Sequence, residues 1–275
     1  MKLGFNEATC MKKSSLEMDL ELCERYGYDY IEIRLDMLQE YLKNNTIEDL
    51  KKFFKHSHLK PYALNSIEDI NFCSADSWNE LVKLFKFACE VASEINNPYI
   101  VVVPTRGDDM RNKSEEEVFR DSVEVLNKLS DIAEPYGVKL AFEPIGSIKW
   151  CVRSIRQAWE IIKEVDRENV GIALDAFNIF IYDMLSDIHD LDLIPGEKIF
   201  VYHINDCEDR KLEDIREEHR LMPGDGIIPL DEISSKLKSK GYEGIASIEL
   251  FRPEYWEMEP EDVIRLGSQK AKPYL

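Results

Sequence analysis

Four residues able to hold a divalent metal recur on successive apolar runs of the chain. Glu143 follows "VKLAF", Asp175 follows "VGIAL", His203 lies within "IFVYHIND" and Glu249 within "GIASIELF". The stretch Gly171 to Leu174 carries no charge, so an aspartate at its end needs a reason. Three carboxylates and one imidazole suit Mn²⁺, Co²⁺, Zn²⁺ or Mg²⁺, with positions left for substrate oxygens. Brought together without a cation, the carboxylates would repel one another and take up protons. Each residue also has a plainer reading. Asp175 could cap the following helix, Glu143 could pair with a loop cation, His203 could be a satisfied core histidine, and Glu249 could pair with Arg252. Their recurrence on consecutive segments favours one shared site.

The elements that must position them are legible in outline. Eight short runs, at 2–8, 28–35, 61–66, 99–105, 138–144, 170–175, 199–206 and 244–251, are nearly continuous in apolar character. Strands covered on both faces read this way, as in a parallel sheet flanked by helices. Helical windows separate them near 15–26, 46–57, 76–95, 154–165 and 229–240. In the window 114–133, Ser114 and Glu117 form a capping box, and Phe119, Val123, Leu126, Leu129 and Ala133 follow at helical spacing. Gly137 then suits a helix terminus. No linker or low-complexity tract divides the chain, so residues 1–275 are expected to form one domain. Eight strands alternating with helices predict an α/β fold, a single closed (β/α)₈ TIM barrel, and 275 residues suit it. The turn after the first strand, "FNEATCMKKS", lacks the glycines of a dinucleotide fold.

In such a barrel, function sits at the C-terminal ends of the strands. That rim reads Glu7, Glu32 with Arg34, Asn65, Thr105 with Arg106, Glu143, Asp175, His203 with Asp206, and Glu249. Neighbouring strands lie about 4.8 Å apart, so side chains from the last four can meet around one ion. The net charge of −19, from 54 acidic and 35 basic residues, disfavours nucleic acid and anionic membrane surfaces as partners. No secretory leader and no run of 18 apolar residues is evident. Six scattered cysteines without a CxxC pair suggest reduced thiols and a cytoplasmic protein.

Several long stretches resemble the sugar isomerase and epimerase family with the xylose-isomerase-like barrel, and within it the inosose (2-keto-myo-inositol) isomerases. They are "KLGFNEAT", "ELCERYGYDYIEIR", "LSDIAEPYGVKLAFE", "DRENVGIALD", "KIFVYHINDCED" and "SIELFRPEYW". The resemblance implies a metal quartet at Glu143, Asp175, His203 and Glu249. It also implies an isomerase that moves a carbonyl between adjacent carbons of an inosose or related ketose through an enediolate. Glu143 and Glu249 would act from opposite sides of the substrate. Arg220, in "EEHRLMPGDG", matches a family arginine that contacts substrate oxygens. Asn178 stands where the family usually has a histidine, and it cannot shuttle a proton near neutral pH. Glu32 joins the substrate side, in a supporting pair with Arg34, and Trp150, with Phe177, Tyr255 and Trp256, offers a wall for an apolar sugar face. The short tail after Trp256 predicts a brief eighth helix.

A ketose 3-epimerase, or a lyase or dehydratase, would share the metal and the first proton abstraction. A three-metal DNA-repair nuclease would need further histidines where Asn65 and Thr105 stand. The expected partner is a small polyol-derived ketone. The choice of ion, the particular ketone and any homo-oligomer stay open at this stage.

Overall fold

Val, Ile, Phe and Tyr dominate the eight runs, and each becomes a short strand buried on both faces. The computed structural model describes residues 1–184 and 186–275. Its strands are β1 (Lys2–Asn6), β2 (Tyr30–Arg34), β3 (Lys60–Ile67), β4 (Tyr99–Val102), β5 (Lys139–Phe142), β6 (Val170–Asp175), β7 (Ile199–Ile204) and β8 (Ile245–Ile248). All neighbours run parallel, and β1 closes on β8 with Leu3 opposite Ala246. The expected (β/α)₈ barrel is therefore present.

Around it lie α1 (Leu16–Arg25), α2 (Leu35–Tyr41), α3 (Ile47–His56), α4 (Ala75–Ile95), α5 (Glu115–Ala133), α6 (Ile155–Val165), α7 (Ala176–Asp183), α8 (Leu230–Ser239), α9 (Pro253–Trp256) and α10 (Pro260–Ala271). Side-chain caps start many of them: Ser15, Thr46, Ser74, Ser114 and Ser154 each accept a backbone N–H two or three residues into the helix. The Ser114–Glu117 capping box forms, and Gly137 takes the left-handed conformation, φ +69°, that ends the turn after α5.

The tail departs from expectation. Instead of a brief helix, α10 runs for 12 residues. Pro260 opens it, Glu261 and Asp262 sit at the positive end of its dipole, and Val263, Ile264, Gly267 and Ala271 are buried on one face. Strands β5, β7 and β8 stop short of their apolar runs, with pairing ending at Phe142, Ile204 and Ile248. Glu143 and Glu249 each lie one position beyond the end of their strand.

Most of the core lies between barrel and helices, and a smaller cluster fills the barrel itself. Inside, Tyr30, Tyr62, Tyr99 and Phe200 pack ring against ring at 4.9–5.1 Å. Gly171 is required there, since a Cβ would sit 2.6 Å from the Phe200 ring. These aromatics lie near the starts of their strands and plug that end. Among the described residues no helix is long and apolar enough to cross a membrane, and the six cysteines are free thiols.

Candidate metal centre

Register brings the quartet together. Asp175 ends β6 directly opposite His203 on β7, and His203 in turn faces Ser247 on β8, two residues before Glu249. Glu143, Asp175, His203 and Glu249 are all buried, and one ligand atom from each lies within 4.8 Å of the others. His203 Nδ1 is 3.4 Å from Glu143 Oε1, 3.4 Å from Glu249 Oε2 and 3.9 Å from Asp175 Oδ2.

The imidazole is held from behind. Its Nε2 lies 3.1 Å from Glu32 Oε2, so an Nε2–H donating to Glu32 leaves Nδ1 facing the three carboxylates. That Nδ1 is fully buried and, among the described residues, has no hydrogen-bond partner. A lone pair aimed at three carboxylate oxygens is repulsive unless a cation lies among them, so the donor set fits a divalent metal. Burial and the neighbouring Glu143 push Glu249 up to about 8 against the pull of His203. Burial raises Glu143 as well. Burial alone would lower His203, but the charges of Glu249, Glu32 and Glu143 outweigh it and hold the imidazole well above its ordinary range.

Asp175 resolves its two readings by using both oxygens. Oδ1 accepts the Asn178 N–H at 2.7 Å and caps α7, while Oδ2 faces the site and accepts from Asn205 and Arg220, each at 2.6 Å. Arg220 is a buried cation, 2% exposed, rather than a loop charge. Its guanidinium stacks 4.5 Å from Phe177 and 5.3 Å from Phe251, donates to Glu217 and lies 3.6 Å from Glu249 Oε2. Asn178 donates to Glu143 Oε1 at 3.4 Å and accepts from Gly146 N–H at 3.3 Å.

Other expectations land differently. Glu32 does not pair with Arg34: it sits wholly buried behind His203, away from the mouth, whereas Arg34 reaches the Asp36 carboxylate at 2.9 Å. Arg252 pairs with Glu208 and Glu254, not with Glu249. Trp150 is half-buried on the interior cluster, under the Arg106 guanidinium. Phe177 is core, Tyr255 accepts from Met222 N–H and Trp256 donates to the Ala8 carbonyl. Asp206 turns away from the site and accepts backbone N–H groups from Cys207, Gly224, Gly226 and Ile228. Thr105 exchanges hydrogen bonds with Asn71.

Two contributors were not foreseen. Asn6 donates to Glu249 Oε1 at 3.0 Å, and Asn205 donates to Asp175 and to the Glu249 carbonyl. The signal was there: an asparagine at or just past the end of an otherwise apolar strand.

A sequence profile of the xylose isomerase-like TIM barrel matches residues 20–273. This chain belongs to that family. Inosose isomerase of Halalkalibacterium halodurans is 45% identical over 269 residues, which cover 98% of this chain and 94% of that protein. Inosose isomerase of Bacillus subtilis is 45% identical over 270 residues, 98% of this chain and 96% of its own. A crystal structure of the IolI protein with a bound zinc atom matches with a TM-score of 0.95 and 43% identity, covering 100% of this chain and 98% of that one. In this xylose isomerase-like barrel the buried quartet can hold one such divalent ion.

Proposed function

We propose that this protein is an inosose isomerase, moving a carbonyl between adjacent carbons of an inosose. The observation that carries the reading is the buried quartet, with Glu143 and Glu249 each 3.4 Å from the same imidazole nitrogen, in a chain so similar to inosose isomerases over nearly its full length. A divalent ion held by Glu143, Asp175, His203 and Glu249 supplies Lewis acidity that makes the proton beside a carbonyl easier to remove.

The chain's own groups do the rest. One glutamate takes the proton from the hydroxyl-bearing carbon, giving an enediolate. The other returns a proton to the former carbonyl carbon, while the hydroxyl proton passes from one oxygen to its neighbour. No oxidant is consumed. The fixed charge of Arg220 favours negative charge developing on substrate oxygens. Asn178 sits where its amide can meet a substrate hydroxyl beside Glu143, and Trp150 offers an aromatic face to the ring. Glu32 keeps His203 in one tautomer and orientation without touching substrate.

NMR of inosose in D₂O with Mn²⁺ tests this, beside a panel of ketohexoses. Metal-dependent deuterium uptake and appearance of the positional isomer are expected, and Glu249→Gln should slow uptake by about 10²–10⁴-fold. Inversion of one centre would mark an epimerase instead, and loss of water a lyase. No exchange with any ketone overturns the proposal.

A further inference from the structure

We infer that Asn6 is a positioning residue for Glu249: its amide selects which carboxylate oxygen the glutamate presents to the site. This rests on the isomerase reading for its catalytic consequence, but its geometry stands apart from it.

Asn6 ends β1 and is fully buried, so it meets no substrate at the mouth. Its amide cannot be turned round without loss, because Oδ1 accepts the Ala8 N–H at 2.9 Å. That lock leaves Nδ2 as the end aimed at Glu249 Oε1, 3.0 Å away. Asn65 Nδ2, from β3, approaches the same oxygen at 3.4 Å. Oε1 thus takes both amide donors. Oε2 is left on the other side, 3.4 Å from His203 Nδ1 and 3.6 Å from Arg220 Nη1.

The turn that carries Asn6 is sewn to the backbone on both sides of Glu249. Thr9 Oγ1 donates to the Ile248 carbonyl at 3.0 Å and accepts the Leu250 N–H at 3.2 Å. Trp256, beyond Glu249, donates to the Ala8 carbonyl at 2.8 Å. Main chain and side chain of Glu249 are therefore gripped by one element. Among the described residues Glu143 has no comparable side-chain hold: one amide, Asn178 Nδ2, reaches it at 3.4 Å.

A glutamate has three side-chain torsions, and a carboxylate held through one oxygen loses most of that freedom before substrate arrives. Such preorganisation acts on the chemical step and not on substrate affinity.

Two variants separate positioning from mere folding. Asn6→Ser keeps a cap for Ala8 N–H but is too short to reach Glu249. Asn6→Asp keeps shape and cap but turns the donor into an acceptor facing a carboxylate. Each is loaded with Co²⁺ and compared with the parent by visible absorption, by Co²⁺ affinity, and by kcat and KM for inosose exchange. We expect an altered Co²⁺ spectrum in both, Co²⁺ binding or kcat down by about 10–100-fold, and KM within about twofold. An unchanged spectrum with unchanged kcat overturns the inference, as does a rise in KM with kcat intact. If Asn6→Asp fails to fold, Asn6→Ser decides alone. If the parent protein exchanges no ketone, the isomerase reading fails while the Co²⁺ spectra still judge the role of Asn6.

Discussion

Asp175 shows how much a single residue can be asked to do. One oxygen ends a helix's unsatisfied N–H groups and the other faces the quartet, so its two tasks can be parted by mutation. Asp175→Asn retains a capping oxygen and loses the charge. It should therefore keep the α7 cap yet melt below the parent, because the buried Arg220 loses its carboxylate partner at 2.6 Å, while metal affinity falls by more than the roughly 10–100-fold that outer-shell changes cost. Thermal unfolding and a zinc competition titration check the two halves separately. The ionisation of the site sets a second expectation. Glu249, up at about 8, and His203, well above its ordinary range, must both give up protons to take a cation. Metal affinity should accordingly climb as the pH rises towards 8, with protons released on binding. Calorimetric titrations at pH 6.5 and pH 8, each in two buffers of different ionisation enthalpy, measure this, and a flat profile would contradict it.

At the scale of elements, the connection from β7 to α8 is a strap over the mouth, pinned by a two-residue antiparallel ladder in which Cys207 faces Arg220. Asp206 holds it by accepting four backbone N–H groups. Gly226 is needed at the pin, since a Cβ there would lie 2.1 Å from the Cys207 carbonyl oxygen. Asp206→Ala strands those four donors, and a loss of about 2–4 kcal/mol is expected in urea unfolding. Activity should drop too, because the strap delivers Arg220. Amide exchange at Gly224, Gly226 and Ile228 should speed up first. Much at this scale was legible: capping boxes, helical spacing and apolar runs are local signals, and all eight strands fall where those runs lie. The seven-residue α2 and the 12-residue length of α10 were not. A short helix offers too few turns for a period to show, and α10 owes its order to packing on β8 and Tyr28, where Gly267 lets it approach.

Across the whole molecule, the barrel buries a second acid pair that the quartet does not use. Glu7 and Asp19 are fully buried, Ser14 donates to Asp19 and the Arg34 N–H to Glu7, and among the described residues Glu7 Oε1 and Asp19 Oδ2 have no hydrogen-bond partner. Burial lifts Asp19 from 3.8 to about 7 and holds Glu7 well above its ordinary range. A carboxyl raised in the folded state binds more protons folded than unfolded. Its contribution to stability is whole below pH 3.8 and is lost as the pH rises through about 7. Asp19→Asn imitates the protonated form, so its melting temperature should fall less than the parent's between pH 5 and pH 8. Parallel pH-dependent melts decide it.

The amino-acid sequence by itself determined the barrel, the order of its elements, and the four residue types on four successive strand ends, because those depend on period, composition and distance along the chain. Only the tertiary structure decided how each group is used. It turned Asp206 into a loop anchor, moved Glu32 behind His203, buried Arg220 against Asp175, and set Asn6 on Glu249 across 243 residues of chain. The physical reason is that a hydrogen bond or an ion pair depends on direction as well as distance. Barrel closure and register supply both for residues far apart in the chain, and no local pattern records them.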